Sequence, residues 1–366
     1  NDGLEQRIAR YRDDGQSLSL YTQTADLTIL RAISPILRDV PVQLERDALR
    51  RLDSAFRHFF RRVKEKNGKA GFPRFKSWQR WNSFTISAPG KSLIRGNRVR
   101  ISGVPNMVLA RNLRQPEGAV KQQRIVRRAG KWYCQFVVDD GKCVPQPVAI
   151  KSAVGIDMGL SSFAVLSDGE VIDNPRFARK AERILIQAHR TVSRRVKGSR
   201  NRRKAVARLQ RAYAQVADQR SNFTHHISKE IVAKHQLIAV EDLNVDGMVR
   251  GRLGKSILDA AWTQFAFRLT YKAEEAGGLV VKVDPRGTSQ DCSRCGQKVE
   301  KSLAVRVHRC ASCGLVLDRD HNAARNVLQR ALKVVASGGG RPIGNACGGG
   351  TARQRNRKSE TVATHF

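Results

Sequence analysis

The sequence predicts a mixed chain: an α/β core with an inserted cysteine module, preceded by an all-α segment and a small all-β segment. Three observations carry this. Apolar spacing changes from helical to period two near Ser83, then to apolar runs alternating with helices after Lys151. Two C-x-x-C pairs stand 14 residues apart just before the last helical run. And 68 Lys+Arg against 32 Asp+Glu leave a net charge of +36, which repels itself unless a polyanion neutralises it.

Residues 1–66 read as helical. The opening NDGLEQRIARYRDDG has the character of a helix interior, suggesting that the natural N-terminus lies upstream. In QLERDALRRLDSAFRHFFRRV, Leu44, Ala48, Leu52, Ala55, Phe56 and Phe59 recur at helical spacing with arginines opposite. Any helix of a small bundle shows such a stripe; the arginine face is where nucleic acid could lie. KEKNGKAGFPRFKSWQRW is rich in breakers and basic. Its Phe72, Phe75, Trp78 and Trp81 alternate with Arg74, Lys76 and Arg80, which either stack bases and hold phosphates or pin a loop to a core.

From Ser83 to Asp140, SFTISA, NRVRISG, QRIVRRAG and KWYCQFVVDD alternate between glycine turns, as in a small barrel or open sheet within 67–150. KCVPQPVAIKS ends it as a linker. The core, 151–287, begins with three apolar strands, AVGIDMGL, SFAVLSDG and EVIDN, the last two joined at Asp168-Gly169. Basic helices fill 176–235, broken near Lys197–Asn201. KHQLIAVEDL is a buried parallel strand, SILDAAWTQFAFRLTYKAEEAGG one helix closed by Gly277, and LVVKVDPR another buried strand. The cysteine module occupies 288–317 and a last helix 318–336. The Gly- and Arg-rich tail, 337–366, has the composition of a disordered segment.

A pI near 11 makes nucleic acid the first partner to consider, with a ribosomal-type or membrane-surface protein as the plainer readings. No run approaches the ~18 apolar residues of a spanning helix, and no signal peptide is visible. Four of the seven cysteines are paired, while Cys134, Cys143 and Cys347 stand alone. That suits a reducing cytoplasm with one metal site better than a disulfide framework. Cys292-x2-Cys295 and Cys310-x2-Cys313, each followed by glycine, make a ribbon-type zinc pattern, its gap one residue short of the usual range. Four thiolates close a tetrahedron, so such a zinc is structural. A redox motif is the competing reading, and His308 is a neighbouring imidazole that either ligates or packs.

Asp157 lies on the first apolar strand between Gly155 and Gly159, Glu241 closes LIAVE, and Asp318 and Asp320 open the last helix. A carboxylate on a buried strand is costly unless paired or bound to metal. Each acid alone also suits a turn, an arginine pair or a helix cap. Three strands, then helix, strand, helix, strand and helix is the ribonuclease H-like order. Its acids sit on the first strand, the fourth strand and the last helix, where Asp157, Glu241 and Asp320 fall. Such a site holds two Mg²⁺ ions ~3.5–4 Å apart and cleaves a phosphodiester.

GIDMGLSSFAVLSDG, IAVEDLNVDGM, TSQDCSRCG and CASCGLVLDRDHNAARN together resemble the RuvC and zinc-ribbon motifs of TnpB, the insertion-sequence-encoded OrfB family ancestral to type V CRISPR effectors. The resemblance covers about residues 1–332 and is strongest after Val154. It implies an RNA-guided DNA endonuclease with a RuvC core, an inserted zinc ribbon, an N-terminal helical recognition domain and a wedge-like β-barrel. It selects Asp320 over Asp318 and Glu241 over Asp242 to join Asp157 as the catalytic triad on two Mg²⁺ ions, and assigns one structural Zn²⁺ to Cys292, Cys295, Cys310 and Cys313. Implied partners are a guide RNA from the transposon end and double-stranded target DNA, cut beside a short target-adjacent motif in a prokaryotic cytoplasm, at the nucleoid when DNA-bound.

On this resemblance Arg202, Arg203 and Lys204 would track the guide–target heteroduplex. Arg74, Lys76, Arg80, Arg294, Lys298, Arg306 and Arg309 are phosphate contacts, and Tyr21 and Gln43 are motif readers by position alone. Family members carry a further N-terminal stretch, including a barrel strand, ahead of the position of Asn1. Its absence from this sequence puts RNA binding and target recognition in question. The other readings are a transposase performing strand transfer, a guide-free DNA-binding repressor with an inactive core, and a miniature type V CRISPR effector. The retained acidic trio opposes the repressor, and the long guide-binding apparatus opposes the transposase. A neighbouring CRISPR array would mark the effector.

Overall fold

The computed structural model describes residues 1–65, 70–77, 80–87, 89–90, 93–111, 113, 115–141, 143, 145–302, 304–338 and 364–365. It comprises two compact units, Asn1–Lys142 with Arg353–Phe366, and Cys143–Ala352. No described helix is long and apolar enough to cross a membrane.

The first unit opens with α1 (Asp2–Asp14), α2 (Leu20–Ile33), α3 (Pro35–Asp39) and α4 (Val42–Glu65). Their boundaries follow from local chemistry. Gly15 ends α1 at φ 67, Ser19 caps α2 by accepting from the Thr22 N–H, and Pro35 starts α3. Arg7 ties three helices together, donating to Gln23 Oε1 at 2.6 Å and to Asp53 Oδ1 at 3.2 Å. Six strands follow: β1 (Ser83–Ser87), β2 (Ile94–Arg95), β3 (Arg98–Val99), β4 (Val108–Leu109), β5 (Ala119–Arg128) and β6 (Lys131–Asp139). α4 lies on β1, where the buried Asp47 accepts from the Thr85 N–H at 3.0 Å.

β1, β5 and β6 form one antiparallel sheet and β2, β3 and β4 another, around a core of Ile86, Leu93, Val99, Ile125 and Phe136. With two residues in each of β2, β3 and β4, no ladder among the described residues closes these sheets into a barrel. The tail expected to be disordered lies almost wholly outside the described residues, except that Thr364–His365 pairs antiparallel with Cys134 and Tyr133.

The second unit runs β7 (Ala153–Met158), β8 (Ser162–Leu166), β9 (Val171–Asp173), α5 (Phe177–Lys180), α6 (Glu182–Ser193), α7 (Arg200–Lys234), β10 (Leu237–Glu241), α8 (Val245–Met248), α9 (Gly254–Ala260), α10 (Trp262–Glu275), β11 (Leu279–Val283), β12 (Val307–Arg309), β13 (Val316–Asp318) and α11 (Arg319–Ala336). Its main sheet has the order β11-β10-β7-β8-β9, antiparallel across β7, β8 and β9 and parallel across β7, β10 and β11. This is the ribonuclease H-like strand order that the element sequence predicts.

Strand alternation splits the core between two faces. Val154, Ile156, Ile238 and Val240 pack with Ile231 of α7 and with Phe265 and Leu269 of α10. Leu237, Ala239, Val281 and Val283 pack with Val327 and Ala331 of α11. The helix expected over 256–278 is in fact two, α9 and α10, broken at Ala261 with φ 55. In one straight helix Ile257 and Ala260 would lie roughly 150° from Trp262, Phe265, Leu269 and Ala273. All six are buried in one core, so the chain must turn. No glycine or proline announces that turn.

Candidate active site and metal centre

β7 and β10 are paired in register through Ile156 and Val240. One residue further, Asp157 and Glu241 stand side by side on neighbouring strands, whose spacing is about 4.8 Å. Asp157 shares a sheet face with Gly155, and that face is covered by α11. A Cβ on Gly155 would lie 2.1 Å from the Ala324 carbonyl oxygen and 2.7 Å from the Leu328 nitrogen, so the helix backbone rests directly on the strand. Asp320 precedes the buried Ala323 and Ala324 by one helical turn and faces the same strand end.

The acids sense one another. Burial, then the Glu241 and Asp320 carboxylates, push Asp157 well above the ordinary carboxylate range, and Arg319 opposes this. Burial likewise raises Glu241, against a hydrogen bond from Thr288 and the charge of Arg330, while Asp320 adds to the rise. Mostly buried carboxyl groups that repel one another are the donor type that a hard, oxygen-preferring divalent cation takes, although the three do not lie as tightly together as the ligands of one ion.

Side-chain commitments separate neighbours that sequence pattern alone leaves equivalent. Asp318 is the N-cap of α11, accepting from the Asp320 N–H at 2.8 Å and the His321 N–H at 3.1 Å. Asp242 is 65% exposed and pairs with Lys282, whereas Glu241 is 7% exposed. Asp320 accepts from Arg306 Nη1 at 3.3 Å and Arg319 Nε at 3.2 Å.

The four module cysteines form no disulfide. Their sulfurs all lie within 4.8 Å of one another, with Cys292–Cys313 and Cys295–Cys310 at 3.6 Å. A tetrahedron with Zn–S bonds of ~2.3 Å needs sulfurs about 3.8 Å apart, so the cage fits zinc. Two matching turns build it: the Gly296 N–H donates to Cys292 O and the Gly314 N–H to Cys310 O, both at 2.9 Å. Both glycines have φ above 70°, a region costly to any residue with a Cβ. The Cys313 N–H draws the Cys310 thiol down to about 7, while Cys313, against the Leu315 N–H, is pushed up to about 12 by burial and the neighbouring thiols. Among the described residues this is the one group of three or more His, Cys, Asp or Glu drawn together tightly enough for a single ion. His308 lies outside it, buried on β12 with Nδ1 against Lys301 Nζ.

The basic candidates divide. Arg203, Lys204, Arg294, Lys298 and Arg309 are exposed, with Lys298 3.6 Å from Glu300. Arg202 instead donates to Val192 O at 2.7 Å and Arg195 O at 3.2 Å, closing the turn between α6 and α7. Arg306 is also exposed but is engaged, donating to Asp320 and to Ser161 Oγ at 2.9 Å. Arg74 and Arg80 are exposed, and Lys76 lies 4.8 Å over the Trp81 ring. Phe72 packs edge-on against Phe56 and Phe59, so it pins its segment to α4; Trp78 lies outside the described residues. Tyr21 is 86% exposed on α2, whereas the Gln43 Oε1 is buried. Sequence pattern missed Thr288, Asn322, Asn326 and Arg330, which fasten α11 to the segment before the cysteines. The signal available for it was the Asn322/Asn326 pair, four apart beside alanines.

A cavity of about 610 Å³ lined by Lys151, His235, Gln236 and Gly278 lies at the other end of the sheet from the acids, where β7, β10 and β11 begin.

Comparison with known proteins shows that the OrfB_IS605 family, described as "Probable transposase", matches residues 121–252, and the "Cas12f1-like, TNB domain" family matches 262–327. A Streptomyces pristinaespiralis protein named "Putative RNA-guided DNA endonuclease" is 35% identical over 342 residues, 92% of this chain and 81% of its own. InsQ of Escherichia coli K12, bearing the same description, is 32% identical over 329 residues, 84% of this chain and 80% of its own. A cryo-EM structure described as a Cas12f1–sgRNA–target DNA complex is similar at a TM-score of 0.37 and 15% identity, over 89% of this chain and 90% of that one.

Proposed function

The chain belongs to the OrfB_IS605 family of TnpB-like proteins, and from that membership we propose that it is an RNA-guided DNA endonuclease. The observation that supports this best is the convergence of Asp157, Glu241 and Asp320 at one end of the sheet under α11. A guide-dependent nuclease needs acids that hold divalent cations, a basic surface for the heteroduplex and a rigid support for both.

Asp157, Glu241 and Asp320 would hold Mg²⁺. The ions would supply an activated water and charge neutralisation at the leaving oxygen. The chain's own groups prepare that site. Burial and mutual repulsion keep Asp157 and Glu241 hungry for a cation. The Asp318 cap fixes the first turn of α11 and with it Asp320. Arg306 reaches Asp320 from the cysteine module and is available to a substrate phosphate beside it. A structural zinc on the four cysteines holds that module. The exposed Arg203 and Lys204 of α7 contact the backbone of a guide–target heteroduplex, with Arg294, Lys298 and Arg309 on the cleaved strand. Arg74, Lys76 and Arg80 hold nucleic acid beside Trp81, and Tyr21 contributes to reading a target-adjacent motif.

The test is cleavage. The protein is co-expressed with the transposon end, its bound RNA is sequenced, and a plasmid library carrying the matching target is offered with Mg²⁺. We expect a defined transposon-end RNA, cutting beside a short motif, about one zinc per chain, and no cutting by Asp157→Ala, Glu241→Ala or Asp320→Ala. Cutting that survives these substitutions, or random cellular RNA in place of a defined species, overturns the proposal.

A further inference from the structure

Glu241 is buried, and one hydroxyl reaches it. Thr288 Oγ1 donates to Glu241 Oε1 at 2.7 Å, both residues being less than a tenth exposed. The same hydroxyl faces Pro285 O at 2.9 Å. Its single proton goes to the shorter contact, the Glu241 carboxyl oxygen.

Thr288 is itself held from the far side. Asn326 Nδ2 donates to Thr288 O at 2.8 Å and to Asp291 O at 2.7 Å. Asn322 Nδ2 donates to Asp291 O at 2.8 Å, and its Oδ1 accepts from the Ser293 N–H at 2.9 Å. Gln329 Nε2 donates to Ser293 O at 2.7 Å. Ser293 lies between Cys292 and Cys295. Segment 288–293 and α11 are therefore one hydrogen-bonded block, anchored at one end by the cysteine cage and carrying Asp320 at its front. Asn322 is fully buried and Asn326 is 5% exposed, so both amides commit their polarity to this block.

We propose that Thr288 is a positioning residue that transmits the fixed geometry of the cysteine module to the Glu241 carboxylate. Asp320 is placed by the helix. Glu241 is the one acid of the trio on a strand with three side-chain torsions to fix, and Thr288 fixes the last of them. Outer partners of metal-binding carboxylates typically change affinity or activity by 10–100-fold when removed. This inference rests on the assignment of Glu241 as a cation ligand, and the experiment separates the two.

Mn²⁺ is titrated into the zinc-loaded full chain, freed of nucleic acid, and the free ion is followed by electron paramagnetic resonance. Thr288→Val should weaken Mn²⁺ binding about 10–100-fold, with zinc content and melting unchanged. Thr288→Ser, which keeps the hydroxyl, should restore it. If the valine form melts early, Thr288→Ala carries the same expectation. Thr288→Val binding Mn²⁺ as tightly as the native chain, while Glu241→Gln binds it weakly, overturns the positioning role alone. Unchanged binding by Glu241→Gln overturns the ligand assignment, and the inference with it.

Discussion

Asp318 and Asp320 are two residues apart and both acidic, yet the local geometry gives them different work. Asp318 satisfies two N–H groups of the first turn of α11, a task asparagine performs as well. Asp318→Asn should therefore leave cleavage near the native rate, while Asp320→Asn should abolish it, in a plasmid-cutting assay on the two purified variants. The raised Asp157 and Glu241 carboxyls carry a second consequence. The folded, cation-free site binds protons more tightly than the unfolded chain, whose carboxyls titrate near ~4. The stability these groups contribute is full below that value and lost as the pH rises through their higher folded values. In magnesium-free buffer the melting temperature should fall with pH across that window. Added Mg²⁺ should restore it, and Asp157→Asn should flatten the profile. A melting temperature that rises with pH through the window contradicts this account of the site.

Among the elements, α11 has the most to coordinate. Its apolar stripe, Val327 and Ala331, closes one face of the sheet, its asparagines grip the cysteine module, and its first turn carries Asp320. All of this depends on close approach to β7, which Gly155 permits. Gly155→Ala inserts a methyl 2.1 Å from a helix carbonyl. Overpacking of this kind costs ~1–3 kcal/mol and sometimes more. The variant should melt earlier, and the displaced α11 should also lower cleavage. Native melting and native cutting by Gly155→Ala would show that the helix sits further from the strand than this.

At the scale of the whole molecule the dominant quantity is +36 of net charge. Binding that neutralises many phosphates releases counterions, so affinity falls steeply with salt, by ~10³–10⁵ between 50 and 200 mM for 6–10 contacts. The chain's affinity for a guide–target heteroduplex should follow that dependence. The double variant Arg203→Ala, Lys204→Ala should flatten the log–log slope by about 2. Arg202→Ala should instead destabilise the turn between α6 and α7, because that guanidinium is spent on carbonyl groups. A slope unchanged by the double variant would remove α7 from the nucleic-acid surface.

Much of this protein could be read along the chain. The cysteine spacing, the period-two run after Ser83, the apolar strands carrying Asp157 and Glu241, and the capped start of α11 are all local patterns, and local patterns are what side-chain spacing encodes. Tertiary structure alone decided the rest. The break at Ala261 exists because two sets of apolar side chains must reach one core. Arg202 and Arg306 look alike in sequence, yet one closes a helix turn and the other meets Asp320. Thr288 touches Glu241 across 47 residues. A one-dimensional pattern records which groups a residue offers; which partner accepts them is set only when distant segments pack, because burial makes an unmatched polar group costly and so forces each to find its partner.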